Sequence, residues 1–277
     1  MFLIEITKDV YVIEASTNVG ILTVGDKVFV IDPGTSKKAF RKVKEKFEGK
    51  EVIVLNTHHH ADHILLNYLY QRDFNCPIYA GEIELHLINY PDLESYYLFG
   101  SEPPKIFKKT FFRARKSIAE PFPNDLPVEV VDLPGHTPGH TGFLYNGVFF
   151  TGDLYFDRSI LEKYGYPYHF SVSKLKETVK KFKSMEYETV VPAHGKPTND
   201  PTKDIEFMMR KIENLENDLL DILKTPHSVE EATFELAEKY SLKFSQGIFY
   251  LFRSFVSSLI QDMENEIVEE GGRWRRI

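Results

Sequence analysis

The feature that most constrains this chain is a run of four histidines and one aspartate, "NTHHHADH", at residues 56–63. The run begins at the end of "EVIVLNT", a nearly continuous apolar segment of the kind found in strands buried on both faces. Further along, Asp153 and His194 end two other apolar segments, and His136 stands in a turn after "VVDLPG". Ligands in α/β sheets commonly bind outside the carboxyl ends of strands. We therefore expect a fold in which several strand ends meet at one edge.

The spacing inside the histidine run favours metal ligands over an ordinary polar loop. His58 and His60 are two residues apart, so their side chains point to the same side of an extended segment. Asp62 and His63 follow where the chain turns into a helix. Metalloenzymes hold a divalent ion with imidazoles and carboxylates and leave one position for water. Because four such residues cannot all reach one tetrahedral ion beside further histidines, the sequence predicts two ions bridged by a carboxylate.

The first two thirds of the chain alternate strand and helix patterns. Apolar runs such as "VGILTV" and "KVFVIDPG" predict strands, and three apolar residues at helical spacing in "SKKAFRKVKEKF" predict a helix. We expect a hairpin that turns at Asn146-Gly147 and a helix that is capped by Ser171. The N-terminal stretch "MFLIEITKDVYVIEA" is typical of a strand. This pattern predicts the α/β class.

The last quarter of the chain shows a helical pattern. Pro201 stands at the first position of a long predicted helix, and Ser228 with Glu231 forms a capping box ahead of a second one. Strand alternation returns only near "EIVEEGGRWRRI". The sequence therefore predicts two domains, residues 1–198 and a helical, winged-helix-like domain of residues 199–277. The second domain would pack against the first or against a second subunit in a homodimer.

Composition excludes several classes of protein. Of 277 residues 42% are hydrophobic, and no run approaches the roughly 20 apolar residues that cross a membrane. The single cysteine, Cys76, excludes an internal disulfide and a cysteine-based metal cluster. Acidic residues stand in the N-terminal stretch where a signal peptide would keep an apolar core. We therefore expect a cytoplasmic protein without a membrane partner.

The charge pattern disfavours nucleic acid as a partner but does not exclude it. The net charge is −7, and residues 200–277 carry ten basic and sixteen acidic side chains, whereas nucleic acid requires a basic surface. One stretch differs: "KIFKKTFFRARK" (105–116) holds six basic and no acidic residues, interleaved with Phe107, Phe111 and Phe112. It predicts either a contact with a small-molecule or anionic substrate or a solvated basic face whose phenylalanines pack inward.

Five motifs together resemble the metallo-β-lactamase superfamily of metal-dependent hydrolases. They stand in the family's order within residues 1 to about 198: "IDPG" (31–34), "THHHADH" (57–63), "LPGHTPGH" (133–140), "TGD" (151–153) and "PAHG" (192–195). The resemblance implies a four-layer αββα sandwich of two mixed sheets between helical layers. The C-terminal helices resemble, more weakly, the appended segment of glyoxalase II-like thioesterases and of a β-lactamase-like endoribonuclease.

The resemblance also implies a set of ligands for two divalent ions. The set consists of three ligands for each ion and one bridge: His58, His60 and His136 for one ion, Asp62, His63 and His194 for the other, and Asp153 between them. Asp32 would support the histidine loop from behind the ligands, and His59 would point away from both ions. Ligation by histidine and aspartate suits zinc, which we expect, but it also suits iron and manganese.

The implied reaction is hydrolysis of an ester-type bond in a thioester, a lactone or a phosphodiester. Two ions lower the pKa of water to roughly 7 and hold a hydroxide between them, so the reaction needs no serine or cysteine nucleophile. Asp62 would orient the hydroxide and carry its proton to the leaving group, and His169 and Tyr155 are candidates for substrate binding. Two alternatives stay open: an oxidoreductase with one or two irons, such as a persulfide dioxygenase, and a non-catalytic metal-binding regulatory protein.

Overall fold

Two β-sheets lie face to face, and helices cover the outer face of each. The computed structural model describes residues 2–277, and of Gln246 it describes only the backbone. Within these residues the first sheet has seven strands, in spatial order β1 (Leu3–Thr7), β2 (Val10–Ile13), β3 (Val19–Val24), β4 (Lys27–Ile31), β5 (Glu51–Leu55), β6 (Ile78–Ala80) and β7 (Glu120–Pro121). The second sheet is formed by β8 (Glu129–Asp132), β9 (Thr141–Tyr145), β10 (Val148–Gly152) and β11 (Thr189–Pro192).

The helices flank the sheets and fill the C-terminal part. In chain order they are α1 (Lys37–Lys46), α2 (Ala61–Ile64), α3 (Asn67–Phe74), α4 (Glu82–Asn89), α5 (Leu93–Phe99), α6 (Arg158–Tyr164), α7 (Val172–Phe182), α8 (Thr202–Ile222), α9 (Val229–Lys239) and α10 (Gln246–Asp262). A hairpin of β12 (Ile267–Glu270) and β13 (Arg273–Arg276) follows. None of the described helices combines the length and the apolar character needed to span a membrane.

Side-chain alternation along the central strands explains the layers. In β4, Val28 and Val30 pack in the core beneath α1, while Phe29 and Ile31 lie in the core between the two sheets. The residues of β5 divide between the same two cores in the same way. Because successive side chains of a strand point to opposite faces, one apolar run fills two cores. The prediction that "EVIVLNT" forms a strand buried on both faces is confirmed by β5, and β4 is buried in the same way.

The second sheet separates its side chains by the same rule. Val148 and Phe150 of β10 face the first sheet, whereas Phe149 packs against the helices on the other side. Three cores thus separate four layers, in the order helices, sheet, sheet, helices. The four-layer αββα sandwich that the sequence predicts is confirmed.

The C-terminal helices share a core with the helices that cover the second sheet. Leu175 of α7, Met208 of α8 and Phe255 of α10 belong to one buried cluster. The hairpin β12–β13 after α10 gives the helix and hairpin order of the expected winged-helix-like segment. The division of the chain at residue 198 stays a prediction, and the shared core joins the parts on either side of it.

Two local predictions are wrong in detail. The N-terminal stretch forms two strands, β1 and β2, rather than one, because a turn at Asp9 with a φ of 68° separates them. Helix α8 begins at Thr202 rather than at Pro201. Pro201 occupies the N-cap position just before the helix, and the Asp200 carboxylate accepts the Thr202 N–H at 3.0 Å.

Three other local predictions are confirmed. Asn146 and Gly147 have φ values of 48° and 74°, both in the left-handed region that a two-residue hairpin turn requires. The Ser171 side chain caps α7. Ser228 and Glu231 form a reciprocal capping box at the start of α9. In each case the signal is local, and the neighbouring backbone decides the structure.

The basic stretch 105–116 packs two of its three phenylalanines inward. Phe107 and Phe112 are 0% and 3% exposed, and they form a small cluster with Leu98 of α5. Phe111 is 62% exposed. The interpretation as a solvated face with inward phenylalanines therefore holds for two of the three rings, and a contact between this stretch and a substrate stays a prediction.

The loops that carry the ligand-type residues meet at one edge of the sandwich. Strands β4 and β5 are parallel, and so are β10 and β11. Strand β8 is antiparallel to β9, which is antiparallel to β10, so β8 runs in the same direction as β10. The carboxyl ends of these strands bring histidines and aspartates from both sheets together.

Candidate metal centre

Among the described residues, four overlapping groups of three ligand-type side chains have ligand atoms within 4.8 Å of one another, and two of these groups consist of the residues that the family resemblance assigns to the two ions. We call these two groups the first triad, His58, His60 and His136, and the second triad, Asp62, His63 and His194. The loop after β5 supplies His58 and His60, and helix α2, which follows it, supplies Asp62 and His63. The turns after β8 and β11 supply one side chain each.

The nitrogens of the first triad converge. His58 Nε2 lies 3.1 Å from His60 Nδ1, and His136 Nε2 lies 2.9 Å from the same atom. Nitrogens that bind one zinc at about 2.0–2.1 Å are themselves separated by a little over about 3 Å. The three rings are therefore spaced to share one ion.

The second triad is joined to the first by Asp153. Asp62 Oδ2 lies 3.1 Å from His194 Nε2 and 3.8 Å from His63 Nε2. Asp153 Oδ1 lies 3.4 Å from His63 Nε2, and Asp153 Oδ2 lies 3.4 Å from His136 Nε2 and 3.5 Å from His194 Nε2. One carboxylate thus contacts both triads, as a bridging ligand must.

Backbone carbonyls orient two of the ligand rings from behind. His136 Nδ1 donates to the Tyr168 carbonyl at 3.0 Å, and His194 Nδ1 donates to the Ser16 carbonyl at 2.6 Å. A ring that carries its proton on Nδ1 leaves Nε2 free to bind a metal. These contacts therefore fix both the orientation and the tautomer that ligation requires.

Asp32 orients two further ligand rings, those of His58 and His63. Its carboxylate accepts the Thr57 N–H at 2.8 Å, the Thr57 hydroxyl at 2.6 Å and His63 Nδ1 at 2.8 Å. Because the Thr57 hydroxyl donates to Asp32, its oxygen is left to accept from His58 Nδ1, 3.0 Å away. Asp32 thus lies behind the ligands, where the sequence places it.

Burial keeps the first triad neutral. It lowers the pKa of His58 and of His136 well below the usual 6.5, and it lowers the pKa of His60 to about 3. Metal ligation requires unprotonated imidazole. These rings are therefore unprotonated at neutral pH, which is the state in which imidazole binds a metal.

The second triad attracts positive charge. Burial acts to lower the pKa of His63 and His194, but the charges of Asp153 and Asp62 outweigh it, raising the pKa of His63 well above 6.5 and that of His194 to about 9. Burial acts to raise the pKa of Asp153, yet the imidazoles of His194, His63 and His136 hold it well below its usual value. A divalent cation bound here would displace the protons from the imidazoles.

Two buried atoms at the centre lack a hydrogen-bond partner. They are His63 Nε2 and Asp153 Oδ1, which lie 3.4 Å apart. Buried polar atoms in native proteins are nearly always paired, and imidazole nitrogens with carboxylate oxygens suit zinc, iron or manganese. The residues at this edge therefore fit a pair of divalent cations.

Two neighbouring histidines support the loops. Burial acts to lower the pKa of His59, but Glu84, 2.5 Å from its Nδ1, raises that pKa above the usual value. His140 Nδ1 donates to the Leu133 carbonyl, and its Nε2 accepts the Asp153 N–H, each at 3.0 Å. Glu84 thus holds the His59 ring by its Nδ1, and His140 holds the backbone of Asp153, the candidate bridging residue.

The two candidates for substrate binding lie in the interior. His169 is 0% exposed, its ring packs against that of His136 with centroids 5.4 Å apart, and its Nε2 lies 3.4 Å from Met208 Sδ. Tyr155 is 1% exposed and lies in the core between the second sheet and its helices. A role in substrate binding stays a prediction for both residues, and the burial of their side chains does not favour it.

Sequence reasoning missed several contributors to this centre. The Tyr168 and Ser16 carbonyls belong to the backbone, so their residue types carry no signal. Glu84 lies outside every motif but had one usable signal. It stands four residues before Ile88 on the buried face of α4, where an acidic residue is unusual unless it is paired.

The family model described as the metallo-β-lactamase superfamily matches residues 12–194. That range covers most of the chain and contains both triads and Asp153. The chain belongs to the metallo-β-lactamase superfamily.

Two curated relatives match this chain at 33% and 28% identity. A probable metallo-hydrolase of Methanocaldococcus jannaschii is 33% identical over 142 residues, which cover 49% of this chain and 66% of that protein. Hydroxyacylglutathione hydrolase 1 of Vibrio vulnificus is 28% identical over 215 residues, which cover 77% of this chain and 75% of that enzyme. The match thus spans just under two thirds of the first relative's length.

Solved structures share the whole architecture. A metallo-β-lactamase family protein of Thermus thermophilus has a TM-score of 0.75 at 17% identity, and the match covers 99% of this chain and 100% of that one. A β-lactamase domain protein of Burkholderia ambifaria has a TM-score of 0.70 at 19% identity, covering 99% and 93%. At these identities the likeness shows the fold, and it extends through the C-terminal helices.

Proposed function

We propose that this protein is a dinuclear metal-dependent hydrolase that cleaves an ester-type bond. The observation that carries the proposal is the pair of triads joined by one carboxylate, Asp153, which lies 3.4–3.5 Å from imidazoles of both. Two divalent ions, which we propose are zinc, would lower the pKa of water to roughly 7 and polarise the substrate oxygen.

Asp62 is the side chain best placed to handle the proton. It is 49% exposed, whereas the Asp153 side chain is 6% exposed, so Asp62 lies at the solvent-facing side of the centre. Its Oδ2 is within 3.1 Å of His194 Nε2 and accepts from Thr17 Oγ1 at 3.4 Å. We propose that Asp62 orients the attacking water and delivers its proton to the leaving group.

A thioester is the first substrate class to test. The resemblance to hydroxyacylglutathione hydrolases supports it, and the basic stretch 105–116 supports an anionic small molecule rather than nucleic acid, given the net charge of −7. Lactones and phosphodiesters are ester-type bonds open to the same attack. The reaction would take place in the cytoplasm, as the composition predicts.

A substrate panel tests the proposal. Purified protein is loaded with Zn²⁺, its metal content is measured, and it is given a hydroxyacylglutathione thioester, a lactone, a phosphodiester and a persulfide. We expect two ions per chain and turnover of at least one of the first three substrates. The matched control is Asp62→Asn, which keeps the shape of the side chain and removes its charge.

Two results would overturn the proposal. Oxygen-dependent consumption of the persulfide by iron-loaded protein, with none of the three ester-type bonds cleaved, would establish the oxidoreductase alternative. Binding of metal without turnover of any of the four substrates would favour a regulatory protein.

A further inference from the structure

A buried glutamate outside the metal centre ties two ligand loops together. Glu84, in the first turn of α4, is 0% exposed, and its carboxylate accepts four hydrogen bonds. A buried carboxylate is costly unless it is paired and fully hydrogen-bonded. This carboxylate meets that condition through two segments that are far apart in sequence.

One oxygen of Glu84 holds the loop after β5. Glu84 Oε2 lies 2.9 Å from the backbone nitrogen of His59 and 2.5 Å from His59 Nδ1. His59 is itself 3% exposed. It stands between His58 and His60, so a fixed backbone and side chain at this residue fix the directions of the two ligands beside it.

The other oxygen of Glu84 holds the turn after β8. Glu84 Oε1 accepts the Thr137 hydroxyl at 2.7 Å and the Gly139 N–H at 2.8 Å. Thr137 follows His136 directly. The packing here is close, since a Cβ on Gly139 would lie 3.0 Å from Glu84 Oε1 and one on Gly81 would lie 2.9 Å from the Gly139 carbonyl.

We propose that Glu84 is a positioning residue that fixes the geometry of the first triad and leaves the second triad unaffected. Its two oxygens each hold one of the two segments that supply His58, His60 and His136. The second triad is supported by other groups, the Asp32 carboxylate and the Ser16 carbonyl. This inference rests on the proposed dinuclear centre. It goes beyond that proposal because it states that the affinity of the first triad for its ion depends on Glu84, which does not bind the ion.

The charge and the shape of the carboxylate are both required. In Glu84→Gln the side chain keeps its size, but an amide NH₂ replaces one oxygen and cannot accept hydrogen bonds. Wherever that NH₂ points, it faces a backbone N–H donor, that of His59 or that of Gly139, so one hydrogen bond is lost. Loss of a partner that orients metal ligands typically weakens metal binding 10–100-fold, and we expect a loss of that size at the first triad alone.

The test measures metal affinity one triad at a time. In a His194→Ala background the first triad is the intact one, and in a His58→Ala background the second triad is intact. Competitive titration with Co²⁺ and Zn²⁺, followed by the visible Co²⁺ spectrum and by metal analysis, gives each affinity with and without Glu84→Gln. Glu82→Gln, an exposed change on the same helix, is the control.

We expect Glu84→Gln to weaken binding 10–100-fold in the His194→Ala background and to leave binding in the His58→Ala background unchanged. Equal losses in both backgrounds, or no loss in either, would overturn the inference. If Glu84→Gln does not fold, the same titrations are made with Thr137→Val, because this variant removes one hydrogen bond to Glu84 and keeps the carboxylate. We then expect a smaller loss confined to the first triad, and unchanged binding there contradicts the inference.

The same data separate this inference from the proposed function. If the otherwise unaltered protein binds two ions and hydrolyses a panel substrate while Glu84→Gln changes nothing, the inference fails and the function stands. If it binds one ion, held by the first triad and weakened by Glu84→Gln, the inference stands and the dinuclear mechanism fails.

Discussion

The two triads differ in charge and in exposure, and the difference indicates how each would hold its ion. The first triad consists of three imidazoles, and its most exposed side chain, His60, is 14% exposed. The second triad contains a carboxylate, Asp62, that is 49% exposed, and His194, which is 15% exposed. The first triad thus offers a neutral, enclosed site whose fixed geometry favours binding. The second offers an open, anionic site where charge favours binding and where solvent and substrate arrive.

The support behind each triad differs in the same sense. Glu84 connects the loop after β5 to the turn after β8 through four hydrogen bonds. Behind the second triad, Asp32 holds His63, while Asp62 has a long contact with Thr17, 3.4 Å, in addition to its contacts with His194 and His63 within the triad. A firmly supported triad suits a structural and polarising role, and a weakly held carboxylate suits proton transfer.

The largest effect on turnover is expected for substitution of Asp153, which contacts both triads. Asp153→Asn removes the charge that faces His63, His136 and His194, so it weakens both ions and with them the source of the nucleophile. We expect turnover of the substrate found by the panel to fall by more than about 10⁴-fold, since water without a metal has a pKa of about 15.7. Enzyme kinetics and metal analysis measure the two effects.

Asp132→Asn is the control for Asp153→Asn, because Asp132 is an exposed aspartate at the end of β8. Turnover within tenfold of the unaltered protein would show that Asp153 does not bridge the triads. Without a bridging residue, the two triads would have to be treated as independent sites.

The next effect separates catalysis from binding. Asp62→Asn is expected to reduce kcat by about 10²–10⁴-fold, the range for loss of a general acid or base. Binding of an ion at the first triad should be unchanged, because Asp62 belongs to the second triad. A thermal unfolding midpoint equal to that of the unaltered protein checks that the half-exposed substitution leaves the fold intact, and full activity in metal-loaded protein would refute the assignment.

A smaller effect is expected for Asp32, which supports the second triad as Glu84 is proposed to support the first. Asp32→Asn places an amide where the carboxylate accepts from Thr57 and His63, so we expect binding at the second triad to weaken about 10–100-fold. Asp32 has a φ of 48°, which asparagine tolerates well, so the turn is preserved. Titration in the His58→Ala background measures the loss.

Asp26→Asn, in an exposed turn beside Lys50, is the control for Asp32→Asn. Because Asp32 also holds Thr57, which contacts His58, a minor loss at the first triad is expected. A larger loss at the first triad than at the second would reverse the comparison drawn here.

Much of the fold could be predicted from the sequence because its signals are local. Apolar runs predicted the strands β4 and β5 and the burial of β5 on both faces, and Asn146-Gly147 predicted the hairpin that joins β9 and β10. The error at Pro201 was one residue, since a proline just before a helix and one in its first turn give the same sequence pattern. These features depend on neighbours along the chain, which a single sequence shows.

The positions of the candidate ligands, and of Asp32 behind them, could be predicted from the sequence, whereas the other supports could not. Ligand positions follow from strand ends and motifs, whereas the contacts of Glu84 join residues 25 to 55 positions apart. Tyr155 shows the same limit, because a position two residues after Asp153 does not reveal that its side chain turns into the helical core. Long-range packing decides such details, and no local pattern encodes them.

The smallest effect tests the weak support of Asp62. Thr17→Val removes a hydroxyl that is buried and lies 3.4 Å from Asp62 Oδ2, a distance longer than the usual 2.5–3.0 Å for such bonds. A weak hydrogen bond contributes about 0.5 kcal/mol, so kcat should fall about two- to threefold, with metal binding at the first triad unchanged. Thr17→Ser keeps the hydroxyl and should restore kcat. A loss above tenfold would show that Asp62 is held as firmly as the first triad, and the contrast between a firmly supported triad and a weakly supported carboxylate would not stand.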